Sequence, residues 1–152
     1  MKEVIEKDLE INSLCFGCGE KNPIGAKLNF FKLSEKSVGS TFKVPEIWGG
    51  WGKIVHGGLQ TVLMDEVAGW CVVALLEEAC LTINVELQFL KPLYVENEAE
   101  IVGEIIEDQG KDIVVKSYIK DTKGDICTQG LFTFRRVQKE RIEQMAGIKF
   151  NN

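Results

Sequence analysis

The clearest pattern in the chain is the alternation from Leu81 to Phe89. Leu81, Ile83, Val85, Leu87 and Phe89 fall on one side, and Thr82, Asn84, Glu86 and Gln88 on the other. Strand side chains alternate with period two, so this run predicts a half-buried antiparallel strand, stopped by Pro92. Before it, Leu59, Val62, Leu63, Val67, Ala68, Trp70, Cys71, Ala74 and Leu75 recur at helical spacing. That segment is apolar nearly all round, which predicts a long buried helix beginning after His56-Gly57-Gly58. Further upstream, Leu28 and Phe30, with Ala26, alternate with polar neighbours, and Val38, Ser40, Phe42 and Val44 share a second period-two face. Ser34-Glu35-Lys36 between them predicts a hairpin turn. Three more strands are expected near 97–107, 112–121 and 125–136, with Asp121 to Asp125 as a hairpin turn, followed by a charged helix from Gln138 to Met145. Val4, Ile5 and Leu9 predict a short helix within residues 1–11. The segments 15–25 and 45–55, rich in glycine, tryptophan, asparagine or proline, read as loops.

The expected order is two strands, one long helix and four strands. A single apolar helix buries its flanks only if a curved sheet wraps around it, so the fold class is α+β with the helix as core filling. The 152 residues, 45% of them apolar, suit one domain over 1–152 without a metal or disulfide staple. The net charge is −5, with basic residues scattered and Arg135-Arg136 the densest pair, so no basic stripe tracks a nucleic acid backbone. The longest apolar stretch, residues 67–76, is too short to cross a bilayer, and the charged N-terminus has no secretory h-region. Five cysteines make no closed disulfide framework. A cytoplasmic protein with reduced thiols is expected, with neither nucleic acid nor membrane as partner.

Three features carry candidate chemistry. Asp65 stands mid-helix among Val62-Leu63-Met64 and Val67-Ala68, where an unpaired buried carboxylate costs several kcal/mol. It is too far along the helix to act as a cap. Either it works as a functional carboxylate or it lies on a solvated stripe or beside a core cation. Gly57 and Gly58 begin the helix, whose first amides have no partner inside it, and glycine lets a ligand oxygen come close. A carbonyl oxygen turning into an oxyanion is the natural guest, and a tight turn is the plain alternative. His56 is the only histidine. Cys15 and Cys18 form the third feature. Zinc needs four ligands, and no second pair is present unless two chains each contribute one across a symmetry axis. Reduced, partly buried thiols are the favoured reading, and no metal is expected. Cys71 and Cys80 read as core packing.

The segment VHGGLQTVLMDEVAGW, after a Gly/Trp-rich loop, resembles the signature of hotdog-fold acyl-CoA thioesterases of the PaaI-like type. LTINVELQFLKPL resembles that family's next strand, and CFGCGEKNPIGAKLNF the N-terminal segment of one of its branches. The resemblance covers roughly residues 14–136 and implies a hotdog fold. It assigns Asp65 as general base or nucleophile towards the thioester, and Gly57 as the amide that polarises the carbonyl. It assigns His56 as a positioning group and Thr82 as the residue that places the carboxylate or the attacking water. Gly58, Gly50, Trp51, Val55 and Lys91 are the expected substrate-contacting positions. Gly50 stands where some members carry asparagine. Lys91 is a candidate for a CoA phosphate, set against plain solvation. Trp48 and Trp51 either line the entrance or anchor their loop. No cofactor is implied.

Spacing adds a constraint. Gly57 and Asp65 are eight residues apart, roughly 12 Å along a helix. A reacting carbonyl needs donor and base within about 3–3.5 Å of its reacting atoms, so one chain cannot easily supply both. Two antiparallel helices can, which predicts a two-fold homodimer with shared sites; the resemblance implies the same, often doubled to a homotetramer. The expected activity is acyl-CoA hydrolysis. The competing readings are a non-catalytic acyl-CoA sensor and a hotdog hydratase or dehydratase.

Overall fold

A computed structural model describes residues 2–8, 11 and 13–150. The chain runs β1 (Glu3–Ile5), β2 (Phe30–Lys32), β3 (Ser37–Lys43), α1 (Gly57–Trp70), β4 (Ala79–Phe89), β5 (Glu98–Asp108), β6 (Asp112–Lys120), β7 (Ile126–Val137) and α2 (Lys139–Ala146). The seven strands form one antiparallel sheet in the order β1-β2-β3-β5-β6-β7-β4, with α1 packed on its inner face. This is the hotdog arrangement: a curved sheet around one helix.

The helix is apolar on most sides because the sheet surrounds it. Leu63, Met64, Val67 and Ala68 are wholly buried against Val38, Ala99, Ile101, Ile113, Val115, Ile119 and Phe132. It passes close to the sheet at Gly103, where a Cβ would lie 2.9 Å from Cys71 Sγ and 3.2 Å from Ala68 Cα. Gly103 pairs with Ser117, whose hydroxyl donates to the Val102 carbonyl at 3.0 Å. Small residues on both strands therefore mark where the helix crosses. With the π-turn Cys71–Leu75 the helical segment reaches 19 residues at mean hydropathy 1.3. It is thus long and apolar enough for a bilayer, contrary to the ten-residue count from sequence, and its core packing accounts for that composition.

Two expectations need correction. Glu3–Ile5 is a strand, not a helix: Val4 pairs with Phe31 and Ile5 with Phe30. So short an isolated helix is marginal in water, whereas the edge of β2 offers a ready ladder. Leu9, the third residue of that expected helix, lies outside the described residues. The alternation in β4 is also broken. A bulge between Thr82 and Asn84 sets Thr82 opposite Phe134 but Val85 opposite Phe132. Directly opposed residues share a face, so Thr82 joins the helix-facing side with Val85, Leu87 and Phe89, while Leu81, opposite Arg135, turns outward. The β2–β3 hairpin, strands β5 to β7 and α2 lie within a few residues of their expected limits.

Candidate active site

The start of α1 is held by its own sequence. His56 is extended (φ −57°, ψ 130°) and caps the helix, its Nδ1 accepting a hydrogen bond from the Gly58 amide at 3.0 Å. The His56 carbonyl accepts from the Leu59 and Gln60 amides, both at 3.1 Å. Buried Gln60 ties this turn to the scaffold: its Nε2 donates to the Val55 carbonyl at 3.2 Å, and its Oε1 accepts from Thr128. Of the orphan amides at the helix start, only that of Gly57 meets no acceptor among the described residues. The expectation of two free glycine donors is therefore corrected to one, because the His56 ring occupies the second. A Cβ on Gly57 would sit 3.3 Å from the Phe89 ring, so the unpaired amide lies beside the end of β4.

Two turns along, Asp65 is half-buried and accepts a hydrogen bond from Thr82 Oγ1 at 2.8 Å. The bulge in β4 aims Thr82 at it. Burial pushes the Asp65 carboxyl above the usual carboxylate range, the Thr82 hydroxyl opposes that rise, and the neighbouring Glu66 adds to it. No lysine, arginine or histidine pairs with Asp65 among the described residues. A groove of about 940 Å³ opens here, lined by Asp65 and Thr82 with Trp70, Val73, Phe134 and Phe150.

The remaining candidates scatter. Gly50 stands beside His56, where a Cβ would meet His56 Cα at 3.4 Å, an ordinary contact. Trp51 projects into solvent at 89% exposure. Val55 does not face a ligand: it is a core side chain, 2% exposed, whose amide bonds the Leu93 carbonyl. The Lys91 ammonium is held between Asp121 (2.9 Å) and Asp125 (3.0 Å) at the β6–β7 turn, so it is not the free cation its sequence position suggested.

Glu66 was missed as a chemical group. Its Oε1 accepts from the Trp70 indole at 3.2 Å and from the Cys15 thiol at 3.3 Å. Burial pushes its carboxyl up to about 7. The Cys18 thiol's hydrogen bond holds Cys15 below the usual thiol range, and the same bond with burial raises Cys18. The Cys15, Cys18 and Glu66 donor atoms all lie within 4.8 Å of one another. Chain spacing gave no sign of this contact, since Cys15 and Glu66 are 51 residues apart.

The fold meets a known pattern. The model of the family described as Thioesterase superfamily matches residues 52–128, just over half the chain, from the loop before His56 into β7. The chain belongs to the thioesterase superfamily. Solved structures of similar fold include a thioesterase superfamily protein, RHA08564, with 21% identity, TM-score 0.76, and coverage of 87% of this chain and 68% of the other. A hypothetical thioesterase from Streptococcus pneumoniae TIGR4, solved with coenzyme A, matches at 22% identity and TM-score 0.68, covering 72% of this chain and 85% of that one. The PaaI protein from the phenylacetic acid degradation operon of E. coli matches at 13% and 0.69, covering 74% and 81%. At these identities the likeness shows the hotdog fold. No curated protein matches the chain. Within this superfamily member, Gly57, His56, Asp65 and Thr82 all lie along one helix and the strand beside it.

Proposed function

We propose that this chain hydrolyses acyl-CoA thioesters, at two equivalent sites shared between the subunits of a two-fold dimer. The observation that carries the reading is Asp65, a half-buried carboxylate gripped by Thr82 and lacking a basic partner among the described residues. It sits on a helix whose first amide is also unpaired. The least buried side of α1 carries Gly58, Thr61, Val62, Asp65 and Gly69, positions that recur at helical spacing and so share one face. Its small side chains suit close approach of a second copy of the helix. An antiparallel partner brings Gly57 of one chain to Asp65 of the other, which the spacing of roughly 12 Å forbids within one chain.

The Gly57 amide at the helix start stabilises the oxyanion that forms on the thioester carbonyl. The partner's carboxylate at position 65 takes a proton from water as the water oxygen bonds the carbonyl carbon. When the tetrahedral intermediate collapses, the C–S bond breaks and that proton passes to the departing CoA sulfur. Burial raises the basicity of the carboxylate, and Thr82 holds it on one oxygen so that the other faces the water. The acyl chain lies in the groove along its apolar residues Trp70, Val73 and Phe134, while charged side chains such as Glu77, Glu78 and Lys139 line the rest of it. The coenzyme A in the S. pneumoniae structure supports the CoA moiety as the leaving group.

The test is thiol release from a panel of acyl-CoAs. Wild type is expected to turn over, and Asp65→Asn to lose about 10²–10⁴-fold in kcat while keeping its melting temperature. Equal turnover by Asp65→Asn overturns the assignment. A wild type that binds acyl-CoA but releases no thiol makes the chain a sensor instead.

A further inference from the structure

Next to Asp65 on α1, Glu66 meets the N-terminal loop through the Cys15 thiol. Three donors of metal-binding type converge there: Cys15 Sγ, Cys18 Sγ and the Glu66 carboxylate, all within 4.8 Å of one another. Two ligands at Zn–S distance and tetrahedral angle lie about 3.8 Å apart, so closing on an ion asks for a contraction of about 1 Å or less. The loop is built to allow it. Gly17 has Glu66 Cδ 2.4 Å from where a Cβ would be, so only glycine lets the carboxylate lie across the Cys15–Cys18 turn. At Gly19 a Cβ would lie 2.6 Å from the Cys15 amide nitrogen, and the Gly19 amide closes the turn by donating to the Cys15 carbonyl at 2.8 Å.

Glu66 has the outer partner expected of a ligating carboxylate. The Trp70 indole N–H donates at 3.2 Å to Glu66 Oε1, the oxygen that also accepts from the Cys15 thiol, and so fixes the carboxylate's orientation. Glu66 has no basic partner among the described residues, although Lys7 stands nearby with its ammonium on the Cys18 and Leu28 carbonyls and on Glu20. Two sulfurs and a half-buried carboxylate form a soft donor set.

We propose that Cys15, Cys18 and Glu66 form a three-ligand site for a thiophilic divalent cation, Zn²⁺, with water in the fourth position. The ion ties the N-terminal loop to the helix segment that carries Asp65. The inference does not depend on thioester hydrolysis, and its test does not read activity.

Full-length, reduced protein is stripped of metal and titrated with Co²⁺. The expected result is a thiolate-to-cobalt charge-transfer band with intense tetrahedral d–d bands, saturating at one equivalent per chain and bleached by Zn²⁺. The double variant Cys15→Ser/Cys18→Ser loses the charge-transfer band. Glu66→Gln, which keeps both thiols, retains that band, changes the d–d envelope and weakens binding by roughly tenfold or more. Absence of a charge-transfer band in the wild type overturns the site. So does a Glu66→Gln spectrum and affinity identical to wild type, which reduces the cluster to a pair of thiols. A half-equivalent end point also overturns it, because the ion would then be shared between two chains.

Discussion

Gly57 presents its amide without an acceptor among the described residues because it is the first residue of α1, and because His56 spends its ring on the next amide. That isolates a single N–H whose removal is testable without breaking the helix. Proline is tolerated at the first helical position, where the missing N–H costs no intrahelical bond. It also confines the preceding residue to extended backbone, which His56 already adopts at φ −57° and ψ 130°. Gly57→Pro should therefore fold with a melting temperature near wild type and lose about 10²–10³-fold in kcat for acyl-CoA hydrolysis. Gly57→Ala sets a methyl against the same Phe89 ring but keeps the N–H, and it should retain most activity. An alanine variant as impaired as the proline variant would mean that space, not the amide, matters there. At this scale the sequence was legible where the backbone alone decides: two glycines after a histidine mark a donor-rich turn. It was silent where a side-chain rotamer or a distant partner decides. Nothing local foretells that the His56 ring takes the Gly58 amide, or that Asp121 and Asp125 engage Lys91.

Among the elements, β4 is where reading and structure part most usefully. Its unbroken alternation placed Thr82 on the polar side, yet the bulge brings it to the helix side and to Asp65. An extra residue leaves no mark in a binary pattern, because both phases look regular on either side of it. The site gains from that irregularity. In the proposed hydrolysis Thr82 touches the carboxylate rather than the reacting atoms and acts as a positioning residue. A hydrogen bond to a charged group is worth about 1.5–3 kcal/mol, or roughly ten- to a hundredfold in rate. Thr82→Val should lower kcat within that range with little change in KM, and Thr82→Ser, which restores the hydroxyl, should recover most of it. A valine variant that raises KM and spares kcat would place Thr82 in substrate binding instead. The same limit explains β1 and Glu66. A three-residue edge strand takes its conformation from β2, and the Glu66 contact to Cys15 exists only once the loop has folded over α1. Long regular elements, by contrast, carry their own pattern, and β5, β6, β7 and α1 were all legible for that reason.

For the whole molecule, the chain as a monomer leaves one edge of its sheet unfinished. Among the described residues β4 ends the sheet with an unpaired edge, and Leu81, Ile83, Val85, Phe89 and Leu90 are 46%, 46%, 39%, 54% and 55% exposed. An eleven-residue edge strand with apolar side chains is a template for pairing unless something covers it. A second copy of the chain satisfies that need and the spacing of Gly57 and Asp65 together. Shared sites make a demand that separate sites do not. Asp65→Asn and Gly57→Pro should each be inactive alone. When the two are co-expressed in equal amounts, random pairing puts both variants in half of the dimers. In each mixed dimer one site joins an intact Gly57 from the first chain to an intact Asp65 from the second, while the other site carries both defects. About one quarter of wild-type activity should then return from two inactive parents. If each site were built within a single chain, every site would keep one defect and the mixture would stay inactive. Adding Val85→Lys on both chains sharpens the contrast: a charge on the inner face of the β4 edge strand should block pairing and abolish the recovered activity while each chain keeps its fold by circular dichroism, although the substitution lies outside Gly57, Thr82 and Asp65.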